Sequence, residues 1–326
     1  MTATPSPVVV TGANGFIGRL LVPALERRGY AVRAISRASA RDDWRPPLMP
    51  TAEAWAPLVA GAVAVVHLAA MAHEPPPGRD GRRVLRAANV LMTDAVARAA
   101  AEAGVATFVF MSSIKAVAAH GDQSAIAESQ RPAPADCYGL AKLAAERRLE
   151  HIAGTTTMRI VILRPPLVFG PGVKANFARL AVLAGWSARG LPLPVARIRN
   201  LRSVLYVGNL ISAVARVLDC RGIAPAAVAE PGAPAGVHRY HLSDEPPLST
   251  PELITRMASA AGGSARLLPI PWPWVTIAAR VMGRSVEVER LAESLVVDSR
   301  RFRHEFAWTP EQSLDEGLVA TLGPRT

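Results

Sequence analysis

The chain has 326 residues, 50% of them hydrophobic and 19% charged, and a formal net charge of +11. This balance excludes a disordered polymer, and no run of eighteen apolar residues escapes a charge or a proline, so no membrane-spanning helix is expected. The nearest stretches are 57–72, which reads as a helix end plus a buried strand, and 267–279, broken by Pro269, Pro271 and Pro273. Residues 1–7 lack the basic start and apolar core of a secretion signal, and Cys137 and Cys220 make no metal-ligand set, so a reducing, cytoplasmic setting is expected with no metal. The arginines fall in scattered pairs such as Arg27-Arg28, Arg82-Arg83 and Arg147-Arg148 rather than in a stripe with aromatics between them. They read as solvated surface, with a few left for an anionic small ligand, and nucleic-acid binding is not expected.

In chain order, Val8-Val9-Val10 is an uncharged β-branched run, the pattern of a strand buried on both faces. It leads into Thr11-Gly-Ala-Asn-Gly-Phe-Ile-Gly18 and then an apolar-periodic helix over 19–28. Gly12, Gly15 and Gly18 allow a tight turn and close approach of backbone to a pyrophosphate at the positive end of that helix. Between a strand and a helix this is a dinucleotide signal, and Phe16 and Ile17 ride on the same turn. Gly29 ends the helix, and 30–35 reads as the second strand. An acidic residue at its end would read the ribose hydroxyls of NAD. Ser36 and Arg37 stand there instead, with Arg33 and Arg41 nearby, and a hydroxyl with a guanidinium suits a 2′-phosphate, so NADP is favoured over NAD.

A proline-rich, charged loop over 41–51 precedes a short helix at 52–60 and a buried strand at 63–67, where His67 reads as a hydrogen-bonded structural residue. The small residues of Leu68-Ala69-Ala70 permit close approach to a cofactor. A loop over 71–81, a helix over 82–103 and a strand over 107–111 lead to Ser112-Ser113, on the strand edge where open α/β sheets bind ligands. Tyr138 and Lys142 follow, four residues apart in an Ala/Leu-rich run, and so on one helical face. A cation beside a phenol lowers its pKa, one way of making a base or acid that works near neutrality. Another strand over 159–164 continues the strand–helix alternation, which predicts a Rossmann-type, doubly wound parallel sheet. From Pro165 the texture changes. The irregular run to Asn200 suggests a smaller substrate-binding region, so the chain divides into 1–168 for the dinucleotide and, mainly, 169–326 for the substrate. A strand at 204–207 and a helix at 209–218 return towards the first part, and a C-terminal tail follows a helix at 250–261.

The ordered set TGxxGxxG at 11–18, HLAA at 67–70, Ser-Ser at 112–113 and YxxxK at 138–142 closely resembles the extended short-chain dehydrogenase/reductases, the nucleotide-sugar epimerase and dehydratase group. Leu163-Arg164-Pro-Pro-Leu-Val-Phe-Gly-Pro-Gly172 is similar to the family's LRxxxVYGPG, Arg202-Ser-Val-Leu-Tyr-Val207 to its R-D/S-x-x-x-V, and Val297-Asp298 with Phe306-Ala-Trp-Thr-Pro310 to its C-terminal signature. The resemblance implies a catalytic group of Ser113, Tyr138 and Lys142, with Ser112 as the alternative serine, and a cofactor contact at Pro165. It also implies a UDP-sugar substrate, with Asn176 and Arg202 as its binding candidates, and a homodimer through helices near 87–103 and 138–153. Ile114 and Lys115 stand where nucleotide-sugar 4,6-dehydratases carry an acidic pair, which argues against elimination of water. Leu167 replaces an asparagine common in 4-epimerases, a duty Asn176 would take over. The block at 165–177 looks most like a bacterial UDP-glucose 4-epimerase-like subgroup that includes 4-keto reductases making N-acetylated 6-deoxy sugars for surface polysaccharide. The missing acid at the end of the second strand argues against the tight NAD grip expected of an epimerase, so a 4-keto reductase is the first expectation, a 4-epimerase the second and a non-catalytic dinucleotide-binding regulator the third.

Overall fold

In the computed structural model, which describes residues 6–38, 45–47, 50–71, 79–121, 123–220, 236–244 and 246–323, the strands of the first half are short and apolar enough to be enclosed by helices on both faces. They are β1 (Val8–Thr11), β2 (Val32–Ile35), β3 (Ala64–His67), β4 (Thr107–Met111) and β6 (Arg159–Arg164), with β5 (Ala125–Ile126) a short excursion between the last two. Between them lie α1 (Gly18–Arg27), α2 (Ala52–Val59), α3 (Arg79–Arg86), a π turn at Ala87–Leu91, α4 (Met92–Glu102), a 3-10 turn at Ile114–Ala116 and α5 (Cys137–Ala153). The predicted helix over 82–103 is thus two α-helices joined by the π turn.

The rest of the chain forms β7 (Leu167–Phe169), α6 (Ala175–Ala188), β8 (Val204–Tyr206), α7 (Val207–Asp219), β9 (Val237–His241), α8 (Thr250–Ala260), α9 (Trp272–Val281), α10 (Ser285–Ala292), β10 (Val296–Val297), α11 (Arg300–Phe306) and α12 (Leu314–Leu322). The main sheet runs β2-β1-β3-β4-β6-β9 with every pair parallel. The chain steps from β1 to β2 on one side and then to β3 on the other, so the crevice beyond the carboxyl ends of β1 and β3 is the switch point where such sheets take ligands.

Period-two alternation sends successive side chains to opposite layers. Val8 and Val10 join Leu21, Leu25, Val161 and Leu163 on one side, while Val9 joins Trp55, Phe108 and Ile160 on the other. The first layer continues without a break into the C-terminal half, through Phe169, Phe177, Leu253, Phe302 and Trp308.

One expectation needs correction. The run after Pro165 is not irregular throughout, because α6 occupies Ala175–Ala188. The stretch at 267–279 is interrupted as its prolines suggest: it is non-helical up to Pro271, the N-cap of α9, while Pro273 lies in the first turn of that helix, where a missing N–H costs nothing. The tail likewise holds α10, α11 and α12. These are short helices, held by tertiary packing more than by propensity. A small buried knot ties them back. Asp244 accepts from the Tyr206 amide (2.7 Å) and the Asn209 side chain (2.8 Å), and Asn209 also bonds both the carbonyl and the amide of Gln312 (2.8 and 3.0 Å).

Candidate functional site

The turn after β1 is built so that only glycine fits. Gly12 has φ +70°, and a Cβ on it would lie 2.8 Å from the Ala69 amide nitrogen, so the two loops after β1 and β3 touch across the switch point. A Cβ on Gly18 would lie 2.3 Å from the Gly12 carbonyl oxygen, which lets α1 abut the turn. Gly15 closes it by donating to the Gly12 carbonyl at 2.9 Å. Ile17 caps α1 with no side-chain hydrogen bond, and no acidic residue sits in the first turn. An uncapped, positive helix end behind a glycine cradle fits a dinucleotide pyrophosphate. Arg19 stands 5.8 Å from the ring centre of Phe16 and donates to the Pro171 carbonyl at 2.6 Å, drawing the 170–172 turn over the cradle. Leu68 and Ala69 are half-buried beside Gly12, and Ala70 is exposed.

A chain of buried polar contacts holds this crevice from behind. The Thr11 hydroxyl accepts from the Ala69 amide (3.3 Å) and bonds His67 Nδ1 (2.8 Å), whose Nε2 reaches Thr93 Oγ1 (3.1 Å). Thr93 donates to the Asn89 carbonyl, and Asn89 clasps both the amide and the carbonyl of Met71 (2.7 and 3.0 Å). Burial, helped by Lys142, lowers His67 to about 3, so it is neutral and structural. Asn89 rides on the π turn, a distortion that recurs at functional sites.

At the end of β2, Ser36 is buried and Arg37 exposed. Arg33 does not join them. Its guanidinium donates to the Leu58 and Ala60 carbonyls, tying β2 to α2. Arg41 lies outside the described residues.

The strand end of β4 separates its two serines. Ser112 is buried and donates to the Glu146 carboxylate. Ser113 is half-buried and caps the 3-10 turn, its Oγ accepting from the Lys115 amide at 3.2 Å. Helix α5 begins beside it. Asp136 is the N-cap, accepting from the Gly139 amide through Oδ1 and from Lys115 Nζ through Oδ2, both at 2.7 Å. A Cβ on Gly139 would lie 2.2 Å from the Lys115 carbonyl oxygen, so the first turn of α5 sits against the Ser113 turn with nothing between. Ile114 donates from its amide to the Pro165 carbonyl at 2.9 Å, joining the third loop to the same place.

Lys142 is buried, donates to the Met111 carbonyl at 2.7 Å, and lies 4.7 Å from the Phe110 ring centre and 5.9 Å from that of Tyr138. Burial, then the Asp136 charge, pushes Tyr138 up to about 12. Burial draws Lys142 down to about 7, against the opposing pull of Glu146.

Glu146 was missed in the sequence, although Tyr138, Lys142 and Glu146 recur at intervals of four on one helical face. Glu146 and Arg164 are both buried and form a two-point pair, Nε to Oε1 at 3.0 Å and Nη2 to Oε2 at 2.5 Å. With Ser112 added, one carboxylate joins α5, β4 and β6.

In the C-terminal half, Arg202 donates through Nη2 to the carbonyls of Arg290, Leu291 and Glu293 (2.8, 3.3 and 2.9 Å). Its Nε is buried and has no partner among the described residues. Asn176 lies in the first turn of α6, and its side chain is outside what the structure describes. No cluster of three or more metal-ligating side chains occurs among the described residues.

Residues 8–226 match the model of the NAD-dependent epimerase/dehydratase family. The UDP-glucose 4-epimerase of Vibrio cholerae is 32% identical, the alignment covering 97% of this chain and 94% of that one. Among solved structures, MoeE5 in complex with UDP-glucuronic acid and NAD superposes with a TM-score of 0.70 at 23% identity over 97% of both chains. RMD from Pseudomonas aeruginosa, complexed with NADPH, gives 0.71 at 23% identity over 97% of this chain and 98% of that one. These two share the fold.

Two measurements test the site's construction. Glu146→Gln leaves the buried Arg164 charge uncompensated and is expected to cost about 3–5 kcal/mol in urea denaturation, with the Glu146→Leu/Arg164→Met pair recovering most of it; a single variant within about 0.5 kcal/mol of wild type would contradict the pairing. His67 and His241 are both lowered to about 3 from an ordinary 6.5. Between those values the unfolded chain binds protons that the native state refuses, so their contribution to stability falls as pH falls from 6.5 towards 3. Asp244, raised to about 6 by burial, acts in the opposite sense. His67→Gln is therefore expected to flatten the loss of urea midpoint between pH 7 and pH 5, and an unchanged slope would remove His67 from the account.

Proposed function

The chain belongs to the NAD-dependent epimerase/dehydratase family, and on that premise we propose that it is a nucleotide-sugar 4-keto reductase. Its substrate in this reading is a UDP-linked N-acetylated 6-deoxy hexosamine used in surface polysaccharide, and its setting is the cytoplasm. Residues 1–168 serve the cofactor and 169–326 mainly the sugar nucleotide. The observation that supports the reading is the seating of the first turn of α5, which carries Tyr138, directly against the Ser113 turn, with Gly139 closed on the Lys115 carbonyl. A phenol, protonated at neutral pH, suits a proton donor to a carbonyl oxygen. When bound, the nicotinamide cofactor supplies the hydride for the sugar carbon. Tyr138 gives its proton to the oxygen, so the C=O becomes CH–OH. Ser113, free of the contact that occupies Ser112, orients that oxygen. Lys142 holds the nicotinamide ribose, and Gly12, Gly15, Phe16, Ile17 and Gly18 hold the pyrophosphate. Leu68, Ala69, Ala70 and Pro165 border the cofactor, and Ser36 with Arg37 favours the 2′-phosphate of NADP. Arg202 and Asn176 take the UDP-sugar.

Elimination of water is disfavoured by the neighbours of Ser113. Ile114 is apolar and buried, and the nearby carboxylate of Asp136 has one oxygen on Gly139 and the other on Lys115. The second reading is a UDP-hexose or UDP-N-acetylhexosamine 4-epimerase, favoured by the likeness to the Vibrio cholerae enzyme. Assembly as a homodimer is supported by Val84, Leu91 and Leu140, large apolar residues left exposed around the small cluster of Leu85, Val90 and Ala141.

Stoichiometric loss of NAD(P)H absorbance with a UDP-4-keto-6-deoxy sugar is the expected outcome, and Tyr138→Phe should lower kcat by about 10²–10⁴-fold. Turnover of UDP-hexoses without net cofactor use, together with no oxidation on the keto sugar, would transfer the assignment to the epimerase. A Tyr138→Phe enzyme as active as wild type would dismiss both. Light scattering should give twice the chain mass for wild type and a smaller mass for Leu140→Glu, while a wild-type monomer would exclude the dimer.

A further inference from the structure

Helix α9 faces the wrong way for a globular protein. Its inward side provides one fully buried residue, Ala279, whereas Trp274, Ile277, Val281 and Met282 are 67%, 52%, 84% and 65% exposed. Their spacing of i, i+3, i+7 and i+8 puts all four on one stripe, with Ala278 between them. An ordinary surface helix buries such a stripe and shows its polar side.

The approach to the helix is pinned and its far end is capped. Leu193 donates to the Arg266 carbonyl and Leu268 donates back to the Leu193 carbonyl, both at 2.8 Å, which pins the segment leading into α9. At the far end Arg284 donates to the Ala279 carbonyl at 2.8 Å around Gly283, which has φ +66°. Leu268 is a further exposed apolar residue at the base.

Charge identifies the occupant. No aspartate or glutamate occurs between Glu252 and Glu287, while Arg266, Arg280 and Arg284 lie in that interval and are all exposed, on a chain of net charge +11. An apolar stripe carrying a tryptophan, with arginines at its base and carboxyl end and the first carboxylates only at Glu287 and Glu289 of the following helix, is complementary to a surface that is apolar inside and anionic outside, as a bilayer with acidic headgroups is. No helix among the described residues is long and apolar enough to cross a membrane, so contact would be in the plane of the surface.

We propose that α9 is an interfacial helix that docks the enzyme on an acidic phospholipid surface, Trp274, Ile277, Val281 and Met282 entering the acyl boundary and Arg280 and Arg284 meeting the headgroups. Docking leaves the cradle and the Tyr138 helix untouched, since none of these residues belongs to them. The full chain should co-sediment with vesicles of phosphatidylglycerol and phosphatidylcholine and much less with phosphatidylcholine alone. Trp274→Ser/Val281→Ser should lower the bound fraction at least tenfold at fixed lipid while keeping the wild-type circular dichroism spectrum. Arg280→Gln/Arg284→Gln, which keeps the apolar stripe, should weaken binding and reduce its salt dependence. Binding that salt abolishes completely and that the serine variant retains would be general attraction of a basic protein, and would overturn the proposal. So would absence of binding by wild type, or a serine variant whose only change is a lower mass in solution, which would assign the stripe to a second copy.

Discussion

A carboxylate shut away from water needs its lone pairs engaged, and Glu146 meets that demand from three elements at once. Arg164 of β6 takes both oxygens and Ser112, just past β4, takes a second contact on one of them, while Glu146 itself sits on α5. Such a pair adds little to stability over well-packed apolar residues, but it tolerates a single arrangement. If α5 slid by one residue against the sheet, a full negative charge and a full positive charge would be stranded in the core. The placement of Tyr138 and Lys142 depends on this constraint, because both lie on the helix that Glu146 locks. The close approach of Gly139 to the Lys115 carbonyl sets the other coordinate, the separation of helix and Ser113 turn.

Burial then decides the electrostatics of the pair. Tyr138 and Lys142 are each pushed towards the uncharged form, one up to about 12 and the other down to about 7. Reading the sequence alone suggests mutual stabilisation of phenolate and ammonium. That reading counts the attraction between two charges and leaves out the cost of desolvating each, which grows steeply in an enclosed site.

The legible parts of the chain were those whose cause is local. The glycine turn, the strand ends at His67 and Met111, and the Tyr138–Lys142 spacing all express short-range geometry, and each stands where the pattern put it. Glu146 was hidden because its meaning lies in Arg164, on a different element. Arg33 was misplaced for the same reason: its carbonyl partners at Leu58 and Ala60 belong to a helix end that sequence spacing does not bring near. The C-terminal helices were obscured by prolines at positions where helices accept them and by lengths too short for a clear period.

The outer strand β9 has a consequence for how the molecule is made. β6 acquires its last neighbour only when residues 237–241 arrive, after β7, α6, β8 and α7 have been synthesised. A nascent chain that has already paired β1, β3, β4 and β6 therefore carries an unpaired edge of Ile160-Val-Ile-Leu163, the kind of template that recruits strands from other chains. Arg239 on β9 finds Glu150 on α5, so completion of the edge also clamps the far end of the Tyr138 helix. Until the ribosome has delivered β9, the first half has its motif in sequence but not the finished platform, and its hazard during synthesis is greatest in that interval.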